Sequence, residues 1–222
     1  MSRPSRPAAA TAKSPPAAPA RAVKRAAHEV RIIGGLWKRS RLPVADRPGL
    51  RPTPDRVRET LFNWLTHLGG GDLDGWICLD AFAGTGALGL EAASRGASAV
   101  VLVERDGSLV ASLEAVCRRL QANTVQVQQA DGVRALQAQP AGSLDLVLLD
   151  PPFDAGLFEP ALQAAVHAVR PQGGLIYLEA PQAWETERLL PLGLRLLRHL
   201  KAGAVHAHLL ERLPSAPAHP AA

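Results

Sequence analysis

Short runs of consecutive apolar residues alternate along the chain with stretches in which apolar residues recur every three or four positions. The runs at 76–79, 99–103, 146–149 and 175–178 predict strands buried on both faces. Val125 and Val127 add a weaker strand between polar neighbours. Between these runs the period becomes helical, most plainly in Leu109, Val110, Leu113, Val116, Cys117 and Leu120. This alternation predicts an α/β fold with a parallel sheet and helices on both faces. Near the C-terminus, 194–200 and 204–210 read as two strands around Ala202-Gly203, an antiparallel hairpin at the sheet edge. No internal repeat occurs.

The first third of the chain has a different texture. Residues 1–28 hold ten alanines, five prolines and no acid, and predict a disordered basic tail. Val30 to Ile33 reads as a short strand closed by Gly34-Gly35, and 36–52, with Pro43, Pro48, Gly49 and Pro52, as a basic loop. Thr53-Pro54-Asp55 then starts a helix, with Thr as N-cap, Pro at the first helical position and Asp in the first turn. Val57, Leu61, Trp64, Leu65 and Leu68 form its apolar face, and Gly69-Gly70-Gly71 ends it. The chain thus divides into a tail (1–28), a basic extension (29–71), an α/β domain (72–213) and a second short tail (214–222).

Composition narrows the class. A chain of 222 residues that is 47% hydrophobic and 20% charged supports one sizeable core. No apolar run approaches the ~20 residues that cross a bilayer, which excludes a transmembrane helix. The tail lacks the apolar stretch of a secretory signal, and its prolines spoil the helix of a transit peptide. Cys78 and Cys117 lie in apolar segments, which excludes a disulfide scaffold, a cysteine zinc cluster and a cysteine nucleophile. A reducing cytosolic setting and no metal are expected. The net charge of +5 conceals a split: residues 1–28 carry +6, residues 29–65 carry +4 and the remainder −5. An acidic body with a basic front end suggests a polyanionic partner such as nucleic acid.

Two loops at strand ends carry the candidate chemistry. The first is Asp80-Ala-Phe-Ala-Gly84-Thr85-Gly86-Ala-Leu-Gly89, between a strand and a helix. Its glycines permit a sharp turn and close approach of a ligand to the main chain. Gly84, Gly86 and Gly89 also satisfy the dinucleotide fingerprint. Asp80, however, would repel a pyrophosphate and attract an ammonium group, such as that of S-adenosylmethionine (SAM). Ala83 to Gly86 would line the ligand. Glu104 ends the next strand, where a carboxylate accepts from both ribose hydroxyls. Asp131, with Gly132 after it, follows the third strand, either as an acceptor for an adenine amine or as a helix N-cap.

The second loop is Asp150-Pro151-Pro152-Phe153. Two prolines fix the backbone and remove two donors, so carbonyls are presented without competing N–H groups. The Asp150 carboxylate and the Pro151 carbonyl suit the hydrogens of an exocyclic base amine. Such a nitrogen is a poor nucleophile, and acceptors favour the cationic nitrogen that develops on attack. Phe153 offers a stacking face for a base presented singly or flipped out. In the basic front end, Arg31, Lys38, Arg39, Arg41, Arg51, Arg56 and Arg58 are candidates for phosphate contacts, with Trp37 as a stacking partner. Arg56 and Arg58 alternatively form ion pairs with Asp55 or Glu59.

With both loops in view, the chain resembles SAM-dependent methyltransferases that carry Asp/Asn-Pro-Pro-Phe/Tyr/Trp and act on exocyclic amines. More narrowly, it resembles the bacterial 16S rRNA (guanine(966)-N(2))-methyltransferase family. The residues that carry this are Arg31-Ile-Ile-Gly-Gly-Leu-Trp37, Gly49-Leu-Arg-Pro-Thr-Pro-Asp-Arg-Val-Arg-Glu-Thr-Leu-Phe-Asn-Trp64, the Asp80 to Ala93 loop and Asp150 to Phe153. The string from Arg51 to Trp64 is the most specific of them. The resemblance runs from about residue 30 to about 213. It implies a Rossmann-like, seven-stranded SAM methyltransferase fold and a cytoplasmic monomer. It also implies transfer to guanine N2 in the small ribosomal subunit or its assembly intermediate. By position it puts Gly84, Gly86, Glu104 and Asp131 at the SAM site beside Asp80, and Asp150 to Phe153 at the guanine. An N6-adenine methyltransferase on DNA or RNA shares both loops. An NAD(P)-dependent oxidoreductase would use the glycines but leaves Asp-Pro-Pro-Phe without a role. A non-catalytic RNA-binding factor would have no need of either site.

Overall fold

The computed structural model describes residues 29–45, 53–153 and 156–214. The expected tail 1–28, the expected second tail 214–222 apart from Pro214, and Arg51 lie outside the described residues. The elements in chain order begin with β1 (Glu29–Arg31), β2 (Arg41–Pro43) and α1 (Asp55–Gly69). Then follow β3 (Ile77–Asp80), α2 (Ala87–Ser94), β4 (Ala99–Glu104), α3 (Gly107–Leu120) and β5 (Val125–Gln129). Next come α4 (Gly132–Gln137), β6 (Leu146–Leu149), α5 (Phe158–Ala168), β7 (Leu175–Ala180) and α6 (Thr186–Leu189). The hairpin β8 (Leu194–Ala202) and β9 (Val205–Arg212) closes the series.

The central sheet has seven strands in the order β5-β4-β3-β6-β7-β9-β8. The first five are mutually parallel. β9 pairs antiparallel with both β7 and β8, so the hairpin enters with its second strand innermost. The apolar runs become strands because each is covered from both sides. One cluster joins Cys78, Leu102, Leu148 and Tyr177 to Leu61, Leu65, Leu90 and Leu113 of the helices on one face. The other joins Leu79, Val103, Val147 and Ile176 to Val133, Leu136, Leu162 and Ala165 on the opposite face. Full burial of a Leu, Ile or Val side chain among them stabilises by roughly 1.5–3 kcal/mol.

The order reverses direction between β3 and β6. From β3 the chain first winds outward to β4 and β5, then returns to β6 on the other side. In open sheets of this kind the crevice outside the carboxyl ends at the reversal is the ligand site. Asp80 ends β3 and Asp150 directly follows β6, so both candidate loops open onto that crevice.

Two local expectations are corrected. Residues 41–43 of the expected loop pair antiparallel with β1, because Val30 opposes Leu42, which is fully buried. Thr53 does not cap α1. Pro54 occupies the cap position without a side-chain hydrogen bond, and the Thr53 hydroxyl donates to Glu179 Oε1 at 2.6 Å. The β1–β2 segment is fastened to α2 by polar bonds. Glu91, wholly buried, accepts from the Ile33 and Gly34 N–H groups at 2.7 and 2.8 Å. Ser94 accepts from Trp37 N through Oγ and from Leu36 N through its carbonyl.

Candidate active site

The loop after β3 turns as its glycines require. Gly84 and Gly86 adopt φ of 52° and 76°, in the left-handed region that side chains disfavour. Gly86 N–H donates to Ala83 O, and Ala83 and Thr85 are buried in the turn. At Gly132 a Cβ would stand 2.1 Å from the Ala81 carbonyl oxygen, so the start of α4 meets this loop backbone to backbone.

Asp80 is buried beneath the turn. Its Oδ2 accepts from Gly89 N at 3.0 Å, while Oδ1 is buried without a hydrogen-bond partner. Burial, more than the Glu104 and Glu179 charges, pushes its carboxyl up to about 7, against the pull of backbone N–H groups of Gly89 and Phe82. A buried acceptor lacking a donor fits an arriving ammonium group. Glu104 bridges the same loop from β4, accepting from Gly84 N at 3.0 Å and from Asp106 N at 2.8 Å. Each carboxylate oxygen can accept more than one bond, so hydroxyls can still be received there. Asp131 caps α4 through Arg134 N at 3.0 Å. The donor and acceptor set therefore fits SAM.

Across the reversal lies the Asp-Pro-Pro-Phe turn. Ala81 N donates to Leu148 O at 3.0 Å, so the glycine loop leaves the sheet against β6, two residues before Asp150. Pro151 is buried, Pro152 exposed, and Phe153 is 40% exposed. The Phe153 ring leans on Phe158, centroids 6.2 Å apart, and Phe158 on Trp184 at 6.3 Å. Asp150 is half-buried. Enclosure first, then the negative charges of Glu179 and Asp80, raise its carboxyl well above the usual range.

Reading along the chain missed a third acid. Glu179 near the end of β7 is 2% exposed and accepts from Thr53 Oγ1 at 2.6 Å and Tyr177 OH at 2.9 Å, both at Oε1. Burial raises its carboxyl, and Thr53, Tyr177 and Arg58 partly offset this.

The basic candidates separate into two groups. Lys38, Arg39 and Arg56 are exposed. Arg31 and Arg41 are exposed too, each in a surface ion pair, with Asp55 at 2.9 Å and Glu29 at 2.8 Å. Such pairs are worth little and leave the guanidinium open to a phosphate. Arg58 is a correction: it is fully buried and does not reach a phosphate. It donates to Thr53 O and Asp55 Oδ1 at 3.2 and 2.7 Å, and its Nη1 stands 3.6 Å from Glu91. Trp37 is half-buried with its ring packed against the core, beside Leu36, which is 82% exposed. Cys78 is buried, and burial pushes its thiol up to about 12, which removes it as a nucleophile.

One further cluster was not foreseen. His199, His206 and His208 bring ring nitrogens within 4.8 Å of one another on the β8–β9 hairpin. His208 is already committed at both nitrogens, to Trp184 N and Leu178 O. His199 Nε2 and His206 Nδ1 stand 2.9 Å apart in a hydrogen bond to each other, and the three rings stack within 27° of parallel.

The sheet order, the glycine turn with acids at the ends of β3 and β4, and Asp-Pro-Pro-Phe after β6 together define the architecture of SAM-dependent methyltransferases. Residues 30–211 match the family described as conserved hypothetical protein 95, and the chain belongs to that family. The protein is similar to ribosomal RNA small subunit methyltransferase D of Escherichia coli (strain K12), 40% identical over 192 residues, covering 83% of this chain and 90% of that protein. The Haemophilus influenzae protein of the same name is 38% identical over 190 residues, covering 82% and 94%. Among solved structures, the putative methyltransferase yhhF from Escherichia coli aligns with a TM-score of 0.70 at 39% identity, over 85% of this chain and 100% of that one.

Proposed function

We propose that the protein is a SAM-dependent rRNA methyltransferase that modifies the exocyclic N2 amine of a guanine in 16S rRNA, the residue equivalent to guanine 966. The observation that carries this reading is the meeting of two loops at the sheet reversal, one suited to an ammonium-bearing ligand and one to a base amine. The kinship with small-subunit rRNA methyltransferases supports rRNA as the substrate. When bound, SAM supplies an electrophilic methyl group on a positively charged sulfur.

The chain's own residues do the rest. Asp80 receives the ammonium group, Glu104 the ribose hydroxyls and Asp131 the adenine amine, with Ala83 to Gly86 and Gly132 giving close backbone approach. Asp150 and the Pro151 carbonyl accept the two hydrogens of the guanine amine, and Pro152 keeps that carbonyl fixed. Phe153, braced by Phe158, stacks on the extruded base. Fixing the amine in line with its methyl donor removes most of the entropic barrier. Lys38, Arg39 and Arg56, with Arg31 and Arg41, hold rRNA phosphates.

The test is transfer of labelled methyl from SAM to small subunits lacking the modification, followed by digestion to nucleosides. Label in N2-methylguanosine of 16S rRNA is expected. Label in N6-methyladenosine would replace this reading with the adenine one, and no transfer would remove both.

A further inference from the structure

Glu179 has no role in a site built from Asp80 and Asp150 alone, yet it is buried at the same crevice and held there by two side-chain hydroxyls. Two hydroxyl donors converge on its Oε1, which fixes the plane of the carboxylate and favours its charged form. Strand register sets its neighbours. Asp80 opposes Leu148, and Leu148 opposes Tyr177, so these three share one face of the sheet. Asp150 and Glu179, each two residues further on, reach the same face one step nearer the carboxyl edge. The groups facing this pair are Asp80 from β3, Tyr177 from β7, Thr53 from the segment before α1 and Arg58 from the first turn of α1. Arg58 is in turn shared with Asp55 and with Glu91 of α2.

Adjacent carboxylates on one face do not both ionise freely. Thr53, Tyr177 and Arg58 all favour charge on Glu179, so the proton affinity of the pair falls to Asp150. We propose that Glu179 is a positioning residue for methyl transfer: its fixed charge makes Asp150 the acceptor of the proton leaving the substrate amine. The bond from Thr53 ties Glu179 to the segment before α1. Once the amine nitrogen has gained its methyl carbon, one N–H bond breaks. The electron pair stays on nitrogen and the proton passes to a carboxylate oxygen of Asp150, then to solvent. A base matched to neutral pH serves this step better than an ordinary carboxylate. The inference rests on the reading of Asp150 given under Proposed function.

Two measurements test it. The free protein, labelled at aspartate carboxyl carbons, is titrated by NMR, with the Asp150 signal identified by its loss in Asp150→Asn. The pH profile of kcat is recorded alongside. In Glu179→Gln, Asp150 is expected to titrate at lower pH, and the acid limb of the profile to move the same way. kcat near pH 7 should fall about tenfold, with a smaller change in KM for RNA. Thr53→Val, the milder variant, should move both readouts in the same direction by less. Unchanged titration and an unchanged acid limb in folded Glu179→Gln and Thr53→Val overturn the inference, even if Asp150→Ala is inactive. If Asp150→Ala transfers methyl at the native rate, the functional reading fails and this inference falls with it.

Discussion

At the scale of single residues the account turns on where acids sit and what faces them. Asp80 and Asp150 are legible in the sequence because each ends an apolar run and opens a turn with an unusual backbone. Glu179 is not, because nothing beside it in the chain marks it out. It looks like the polar end of an ordinary strand, and its importance comes from Thr53, 126 residues away. Asp80 makes a pH prediction. Its carboxyl is held up to about 7 by burial, and the ammonium group of SAM favours the ionised form. Below that pH, binding has to expel a proton, by up to tenfold in affinity per pH unit. SAM affinity measured by calorimetry should therefore rise with pH and level off above about 7. Asp80→Asn should bind more weakly and lose this dependence; a wild-type affinity that is flat from pH 5 to 8 would contradict the assignment.

At the scale of elements the question is what clamps the basic extension to the α/β body. The clamp is polar and buried. Glu91 takes two backbone N–H groups from the β1–β2 connection, and Arg95 closes on the same carboxylate at 2.7 Å. Arg58 lies between Glu91 and Asp55. The sequence did hold a signal for this. Arg58, Leu61, Phe62 and Leu65 fall at helical spacing, and all four are buried in α1. Read as one of a run of bases, Arg58 looks like Arg56, yet the helix turns the two to opposite fates. Removing one partner of a buried ion pair typically costs 3–5 kcal/mol. Arg58→Met should lose about that much in urea unfolding, against well under 1 kcal/mol for Arg56→Met. Equal small losses would show that Arg58 does not clamp the extension.

At the scale of the whole molecule, the fold class, the parallel strands and the C-terminal hairpin were all legible in the apolar pattern. That pattern reports burial on both faces, which a parallel sheet imposes. Strand order was not legible from periodicity. The reversal between β3 and β6, which brings the two loops together, depends on the handedness of crossovers and on helix packing across the sheet. The short β2 was hidden because Arg41-Leu42-Pro43 carries only one apolar residue, and its pairing with β1 depends on Leu42 being covered. Charge asymmetry gives a prediction at this scale. rRNA affinity should fall steeply with salt. The triple variant Lys38→Ala, Arg39→Ala, Arg56→Ala should bind more weakly and flatten the log–log salt slope by about 2. An unaltered slope would move the RNA contact elsewhere.

The central claim is that a methyl donor and a base amine meet where the glycine turn and the double-proline turn converge. Asp150→Ala compared with the native protein tests it most directly, with SAM binding and single-turnover transfer to small subunits measured side by side. The account predicts SAM affinity within about twofold of native and transfer reduced by about 10²-fold or more. Native-like transfer by Asp150→Ala would contradict it.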